Sequence, residues 1–174
     1  MKKNGLFYGT TTQKTASVAK KIVEAFGEDK IEAVPIEKAW QKEFELYDNL
    51  IVGTSTWFDG ELPDYWDELI PELSTMKMKD KKVAIFGLGN QVDYPDNFVD
   101  GIGILAEVFE SAGAQLVGFT PIEGYMFNQS RAVRGEQFAG LVLDLENEPE
   151  KTDQRILDWV KMLQKDFAQK QKKG

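Results

Sequence analysis

Three stretches of the sequence gather groups able to hold a ligand. The first, Gly9-Thr10-Thr11-Thr12-Gln13-Lys14-Thr15, puts four hydroxyls and an ammonium directly ahead of a segment with helical spacing. The unpaired amides of a helix N-terminus would join that set and make a cradle for a phosphate. It is not a Walker A loop, because no Gly immediately precedes Lys14 and Gly9 stands one residue too close to it. The same residues also read as a Thr N-cap with spare hydroxyls, and the loop alone leaves both readings open.

The second stretch is Gly53-Thr54-Ser55-Thr56-Trp57-Phe58-Asp59-Gly60. Two adjacent aromatics on a turn between a buried strand and a helix are costly to leave bare, so either something flat covers one of them or neighbouring loops pack over both. The third is Gly87-Leu88-Gly89-Asn90-Gln91-Val92-Asp93-Tyr94, a near-miss of the dinucleotide glycine signature. It lacks the third Gly and follows the wrong strand for NAD. It still offers backbone amides and an aromatic that could face Trp57, although Tyr94 also reads as a plain surface tyrosine.

What is missing narrows the chemistry. The 174 residues include no Cys and no His, which removes disulfides, thiol nucleophiles, Cys-ligated iron-sulfur clusters, imidazole bases and ordinary zinc sites. Ser-His-Asp and Cys-His hydrolysis are excluded with them. If the protein handles electrons, an organic cofactor must carry them. The formal net charge is −8 and the pI about 4.7, which argues against nucleic acid and anionic membrane and favours a basic protein partner. The apolar run Gly5 to Tyr8 is too short for a signal or spanning segment, so a cytoplasmic or stromal protein without a cleavable leader is expected.

Positioning these loops falls to a regular succession of elements. Short apolar runs recur at Leu6–Tyr8, Ile31–Ile36, Leu50–Val52, Val83–Phe86, Leu116–Phe119 and Leu141–Leu143, and read as strands buried on both faces. Between them, Ala16–Phe26, Ile102–Phe109 and the stretch from Thr152 onward carry apolar stripes at helical spacing. Strands alternating with helices imply βαβ units, a parallel sheet and helices on both of its faces. The segment from Thr120 to Gly140 breaks the rhythm and reads as an inserted loop or small β lobe in a single domain spanning residues 1–174. The basic end, Lys170 to Gly174, reads as a frayed tail. An open parallel sheet binds ligands outside the carboxyl ends of its strands. All three loops fall there, and together they suit a phosphorylated aromatic ring system.

At these residues the sequence resembles the long-chain flavodoxins, from about Lys3 to Phe167. The matching stretches are Gly5-Leu6-Phe7-Tyr8-Gly9-Thr10, Thr56-Trp57 with Gly60-Glu61, and Asp96-Asn97-Phe98, followed by Gly124-Tyr125, Phe127-Asn128 and Gly140-Leu141. The resemblance implies a three-layer α/β sandwich with a five-stranded parallel sheet of order 2-1-3-4-5 and the long-chain insertion in the last strand. Flavodoxin is itself the type example of that order, with FMN at the switch point. It further implies non-covalent FMN, with its phosphate in the loop Thr10, Thr11, Thr12, Gln13, Lys14 and Thr15, and its ring between Trp57 and Tyr94. The polar edge of the ring would meet backbone groups of Leu88, Gly89, Asn90 and Gln91. Ser55, Thr56, Phe58, Gly60 and Asn97 complete the implied set, the Phe58 carbonyl accepting the N5 proton after a peptide flip that Gly60 permits. Gln13, Ser55, Leu88 and Asp93 depart from the usual Gly, Pro, Thr and Gly.

The function so implied is a low-potential one-electron shuttle between redox enzymes in place of ferredoxin, monomeric and not itself an enzyme. Its partners would be basic proteins such as a ferredoxin-NADP reductase or a low-potential acceptor enzyme. The competing enzyme reading is a flavodoxin-like NAD(P)H-dependent quinone or nitro reductase, against which stand the lack of an evident nicotinamide subsite and an aromatic pair covering both ring faces. A receiver-type signalling module would need an acidic cluster after the first strand, where Gly9-Thr10-Thr11 has none. Charge segregation suits the carrier: residues 51–75 and 83–110 together hold eleven acids and no base, whereas residues 1–50 hold eight of each.

Overall fold

A computed structural model describes residues 3–9, 12–56 and 60–169. Five parallel positions form the sheet, in the order β2-β1-β3-β4-β5. β1 (Asn4–Tyr8) lies between β2 (Ile31–Pro35) and β3 (Asn49–Ser55), and β4 (Lys82–Leu88) follows. β4 is buried along its whole length and β3 at all but its last residue, as expected of apolar runs covered on both faces. β2 departs from that expectation, with Glu32 and Ala33 exposed, because it is the end strand of the sheet.

The fifth position is made of two pieces. β5 (Gln115–Val117) pairs with Lys82–Ala84, while β9 (Leu141–Leu143) pairs with Phe86–Leu88 of the same strand. The split fifth strand implied by the resemblance is therefore present. The apolar run read as 116–119 stops at Val117 because Gly118 turns away with φ +82, the indole of Trp159 filling the space where a Cβ would stand. Trp159 Nε1 donates to the Gly118 carbonyl at 2.8 Å. Between the two pieces lies a three-stranded antiparallel lobe of β6 (Thr120–Pro121), β7 (Val133–Arg134) and β8 (Gln137–Phe138). Phe98, Phe127 and Phe138 form its small core, with ring centroids 5.4 to 6.0 Å apart.

Helices cover both faces. α1 (Gln13–Phe26) and α5 (Thr152–Ala168) pack Val18, Ile22, Ile156 and Trp159 against Leu6, Ile51 and Phe86. On the other face α2 (Gln41–Glu45), α3 (Asp64–Leu73) and α4 (Asp100–Ser111) pack Phe44, Trp66, Leu69, Ile102 and Phe109 against Phe7, Val52 and Ile85. Leu6 and Phe7 fall in different cores because successive strand residues point to opposite faces. Among the described residues no helix is long and apolar enough to cross a membrane.

Candidate functional site

At the carboxyl edge of the sheet lies a cleft of about 410 Å³. Four segments wall it: Lys14 from the start of α1, Ser55 and Thr56 from the end of β3, Leu88, Gly89, Asn90, Asp93 and Tyr94 after β4, and Leu145 and Glu146 after β9. Residues of all three loops singled out in the sequence thus meet in one cleft. Thr10, Thr11, Trp57 and Phe58 lie outside the described residues.

At one end, Thr12 has extended backbone and caps α1, its Oγ1 accepting from the Thr15 amide at 3.4 Å and donating to the Thr15 hydroxyl at 2.9 Å. The capping and cradle readings are compatible, since one cap leaves the amides of Gln13 and Lys14 without intrahelical acceptors. Gln13 opens the helix without a positive φ, so this position does not require the Gly usual there. The first turn of α1 carries no acid, which keeps its positive dipole end open to an anion. Lys14 forms an ion pair with Glu146 across the cleft.

In the middle, the Ser55 hydroxyl is buried and has no hydrogen-bond partner among the described residues. A buried polar group normally finds one, so a ligand hydroxyl or carbonyl in the cleft would satisfy it. Thr56 is spent differently: its Oγ1 accepts from the Gly101 amide at 3.0 Å and fixes the end of β3 to α4. Gly60 has φ +92, and a Cβ there would stand 2.5 Å from Asp100 Oδ2 and 3.1 Å from Asn97 Oδ1. Asp100 is 3 % exposed and accepts from the Arg131 amide at 2.7 Å. Burial raises its pKa, against that hydrogen bond and the Arg131 charge. Val99 enters α4 in the left-handed region at φ 47, a conformation that costs a β-branched residue on the order of 1–3 kcal/mol.

Asn90 organises the turn at the far end. Its Oδ1 accepts from the amides of Val92 and Asp93 at 3.1 and 2.9 Å, and its Nδ2 donates to Asp93 at 3.0 Å. Asp93 therefore serves where the resemblance implies a Gly, without a positive φ. Tyr94 is 56 % exposed on the cleft wall, a large aromatic surface of the kind that a flat ligand would cover. The Gly89 amide donates to the Leu143 carbonyl at 3.0 Å. Gln91 lies beneath the wall rather than in it, its amide donating to Asp144 at 3.1 Å.

The residues after β9 were not singled out in the sequence, yet Leu145 and Glu146 form a wall. The rule that drew attention to the other strand ends, applied to Leu141–Leu143, points to them. The inserted lobe supplies a second unforeseen feature, since Arg131 and Arg134 pair with Glu107 at 3.5 Å and Glu110 at 2.8 Å on α4. Asp100 is likewise buried rather than part of an exposed acidic face. A separate cleft of about 440 Å³ lies between α5 and the lobe, bordered by Tyr125, Arg155 and Trp159, and none of the three loops borders it.

A helix N-terminus with a cation, an unsatisfied hydroxyl, a backbone-rich turn and an exposed tyrosine suit a phosphorylated ring compound. Comparison with known proteins agrees in kind. Residues 6–159 match the family described as flavodoxin. A flavodoxin of Synechococcus elongatus is 46 % identical over 97 % of this chain and 99 % of its own length. One from a Nostoc species is 44 % identical over 96 % and 98 %. The crystal structure of Fusobacterium nucleatum flavodoxin bound to flavin mononucleotide is 32 % identical, covers 95 % of this chain and 99 % of its own, and superposes with a TM-score of 0.90.

Proposed function

The chain belongs to the flavodoxin family, and on that premise we propose that the cleft between Lys14, Ser55 and Tyr94 is where it holds its FMN. The protein is an electron carrier, exchanging electrons with redox partners rather than turning over a substrate. FMN, when bound, supplies a centre that accepts and releases electrons one at a time. What the protein supplies is position and electrostatics.

The observation that carries the assignment is the convergence of three strand ends and the start of α1 on one cleft that pairs a cationic helix start with an exposed tyrosine. In this reading Thr10, Thr11, Thr12, Gln13, Lys14 and Thr15 bind the phosphate. Lys14 then exchanges its Glu146 partner for the phosphate, or shares the two. Ser55 donates its unsatisfied hydroxyl, and Thr56 holds the end of β3 in place. Trp57 and Tyr94 stack on the ring, while Leu88, Gly89 and Asn90 present backbone to its polar edge and Gln91, whose amide is held by Asp144, supports them from beneath. Phe58 offers its carbonyl at N5. Gly60 and Asn97 shape that turn, where the contact distances around Gly60 leave no room for a side chain.

The finer functional reading is a low-potential shuttle in place of ferredoxin, monomeric, with residues 1–174 as one domain. It works with basic partners such as a ferredoxin-NADP reductase or a low-potential acceptor enzyme, in the cytoplasm or stroma. Exposed acids on α3 and around the ring loop, including Glu61, Asp64, Asp67, Asp93 and Asp96, support it. Anaerobic reductive titration of the purified protein, followed by visible absorption, tests the reading. Reduction in two separate one-electron stages is expected, and NADPH alone should not bleach the flavin. Direct two-electron bleaching by NADPH would instead favour a quinone or nitro reductase. Tyr94→Ala should weaken FMN binding about tenfold, since ring stacking is worth roughly 0.5–1.5 kcal/mol beyond buried area; unchanged affinity would remove Tyr94 from the site.

A further inference from the structure

We propose that Gln91 is a positioning residue that sets the width of the FMN cleft and ties its ring loop to the inserted lobe. The inference rests on the reading of the cleft as the FMN site. Gln91 sits between half-buried Asn90 on the cleft wall and Val92 at 66 % exposure, yet is itself only 7 % exposed.

Its side chain is held by two segments distant in sequence. Nε2 donates to Asp144 and to Glu148, each at 2.9 Å, and Oε1 accepts from the Met126 amide at 2.7 Å. With its own amide also on Asp144, Gln91 spends both donor and acceptor ends of its side chain on protein. Asp144, fully buried, is gripped in turn by the amide and Nδ2 of Asn147, and that Nδ2 reaches back to Asn90 Oδ1 at 2.8 Å. The turn after β9 is thereby joined to the turn after β4 at two adjacent residues.

Leu145 and Glu146 stand between Asp144 and Asn147 and form one wall of the cleft, whereas Asn90 and Tyr94 belong to the other. The Gln91–Asp144 and Asn90–Asn147 bonds are side-chain cross-ties between these walls, added to the backbone bond from the Gly89 amide to the Leu143 carbonyl. A further tie of Gln91 leads away from the cleft. Met126 belongs to the lobe segment and is 83 % exposed, yet its amide is engaged by Gln91. On the same side Glu148 is bonded by Arg155, which lies 4.4 Å over the ring of Tyr125. A glutamine that merely satisfied itself in a core could do so on one element; this one joins three segments at the edge of a binding cleft.

The test compares Gln91→Leu with the unchanged chain, measuring FMN dissociation constants by quenching of flavin fluorescence and thermal midpoints with and without FMN. Leucine nearly preserves volume but removes all three side-chain hydrogen bonds. Loss of the cross-tie should weaken FMN binding about tenfold, or about 1.4 kcal/mol, and speed exchange of the Met126 amide. A loss of stability shared equally by the two forms leaves the dissociation constant unchanged, so unchanged affinity with lowered midpoints would overturn the proposal. Unchanged Met126 exchange would overturn the tie to the lobe. Should Gln91→Leu fail to fold, Gln91→Glu retains an acceptor for Met126 and loses the donor to Asp144 and Glu148. It should weaken FMN to a similar degree, and an affinity within twofold of the unchanged chain would count against the proposal. Failure of the unchanged chain to bind FMN would instead overturn the cleft assignment, while Met126 exchange still tests the tie to the lobe.

Discussion

Ser55 carries a hydroxyl that folding buries without a partner among the described residues, an expense that a ligand in the cleft would recover. Ser55→Ala removes the unsatisfied group, so the flavin-free protein should be as stable as before or slightly more so. FMN affinity should fall about fivefold, the worth of one net hydrogen bond of about 1 kcal/mol; titration calorimetry and thermal melts of both forms check the two halves separately. Gly60 makes the opposite case. At φ +92 and facing Asp100 Oδ2 at 2.5 Å, Gly60→Ala should cost more than about 1 kcal/mol of stability, measurable by urea denaturation. Lys14 was legible in the sequence as a cation at a helix start, but its pairing with Glu146 was not, because 132 residues separate them. Gln91 was legible only as one of four backbone contributors; nothing in its neighbours announces that its side chain turns inward to Asp144.

At the scale of elements, the turn between β9 and α5 is tied to the ring loop through Gln91, and it is sensitive to acid. Burial pushes the Glu148 carboxyl up, but hydrogen bonds from Lys151 and Gln91 and the Arg155 guanidinium outweigh this and hold it at about 2. A folded pKa below the unfolded value means that folding favours the ionised form. This contribution is complete above the ordinary glutamate range and is lost as the pH falls toward 2. Glu148→Gln should therefore be less stable than the unchanged chain at pH 7, and the difference should shrink steadily below about pH 4, as read by urea midpoints across that range. The elements themselves were well legible, since β1, β3, β4 and β9 follow apolar runs and α1, α4 and α5 follow helical stripes. The lobe was visible as a break in rhythm, but its strands of two residues each are too short to leave a period. The turn after β9 was overlooked because Asp, Glu and Asn crowd it, and such residues mark turns everywhere.

Across the whole molecule, charge is segregated, and the fold trims that segregation. The acids of α3 are exposed, whereas two on α4 are paired with arginines of the lobe and Asp100 is buried. Counting residues along the sequence therefore overstates the negative field on the α4 side, since it cannot see Arg131 and Arg134 folding back over it. The remaining field should steer a basic partner. The bimolecular rate of electron exchange with a cationic reductase should fall at least about tenfold on going from low to physiological salt and beyond, as stopped-flow mixing would show. A rate indifferent to salt would mean that the acids do not guide encounter.

The two-piece fifth strand bears on how such a molecule behaves when crowded with its own copies. An open sheet ends in rows of unpaired amides and carbonyls that invite another strand to add on. Here one end strand is interrupted after three residues, and its remainder resumes only beyond the lobe. The opposite end strand closes on Pro35, which has no amide to give, and exposes the charge of Glu32. Neither margin offers a long, regular template, so the same interruption that makes room for the lobe also guards the sheet against edge-to-edge aggregation.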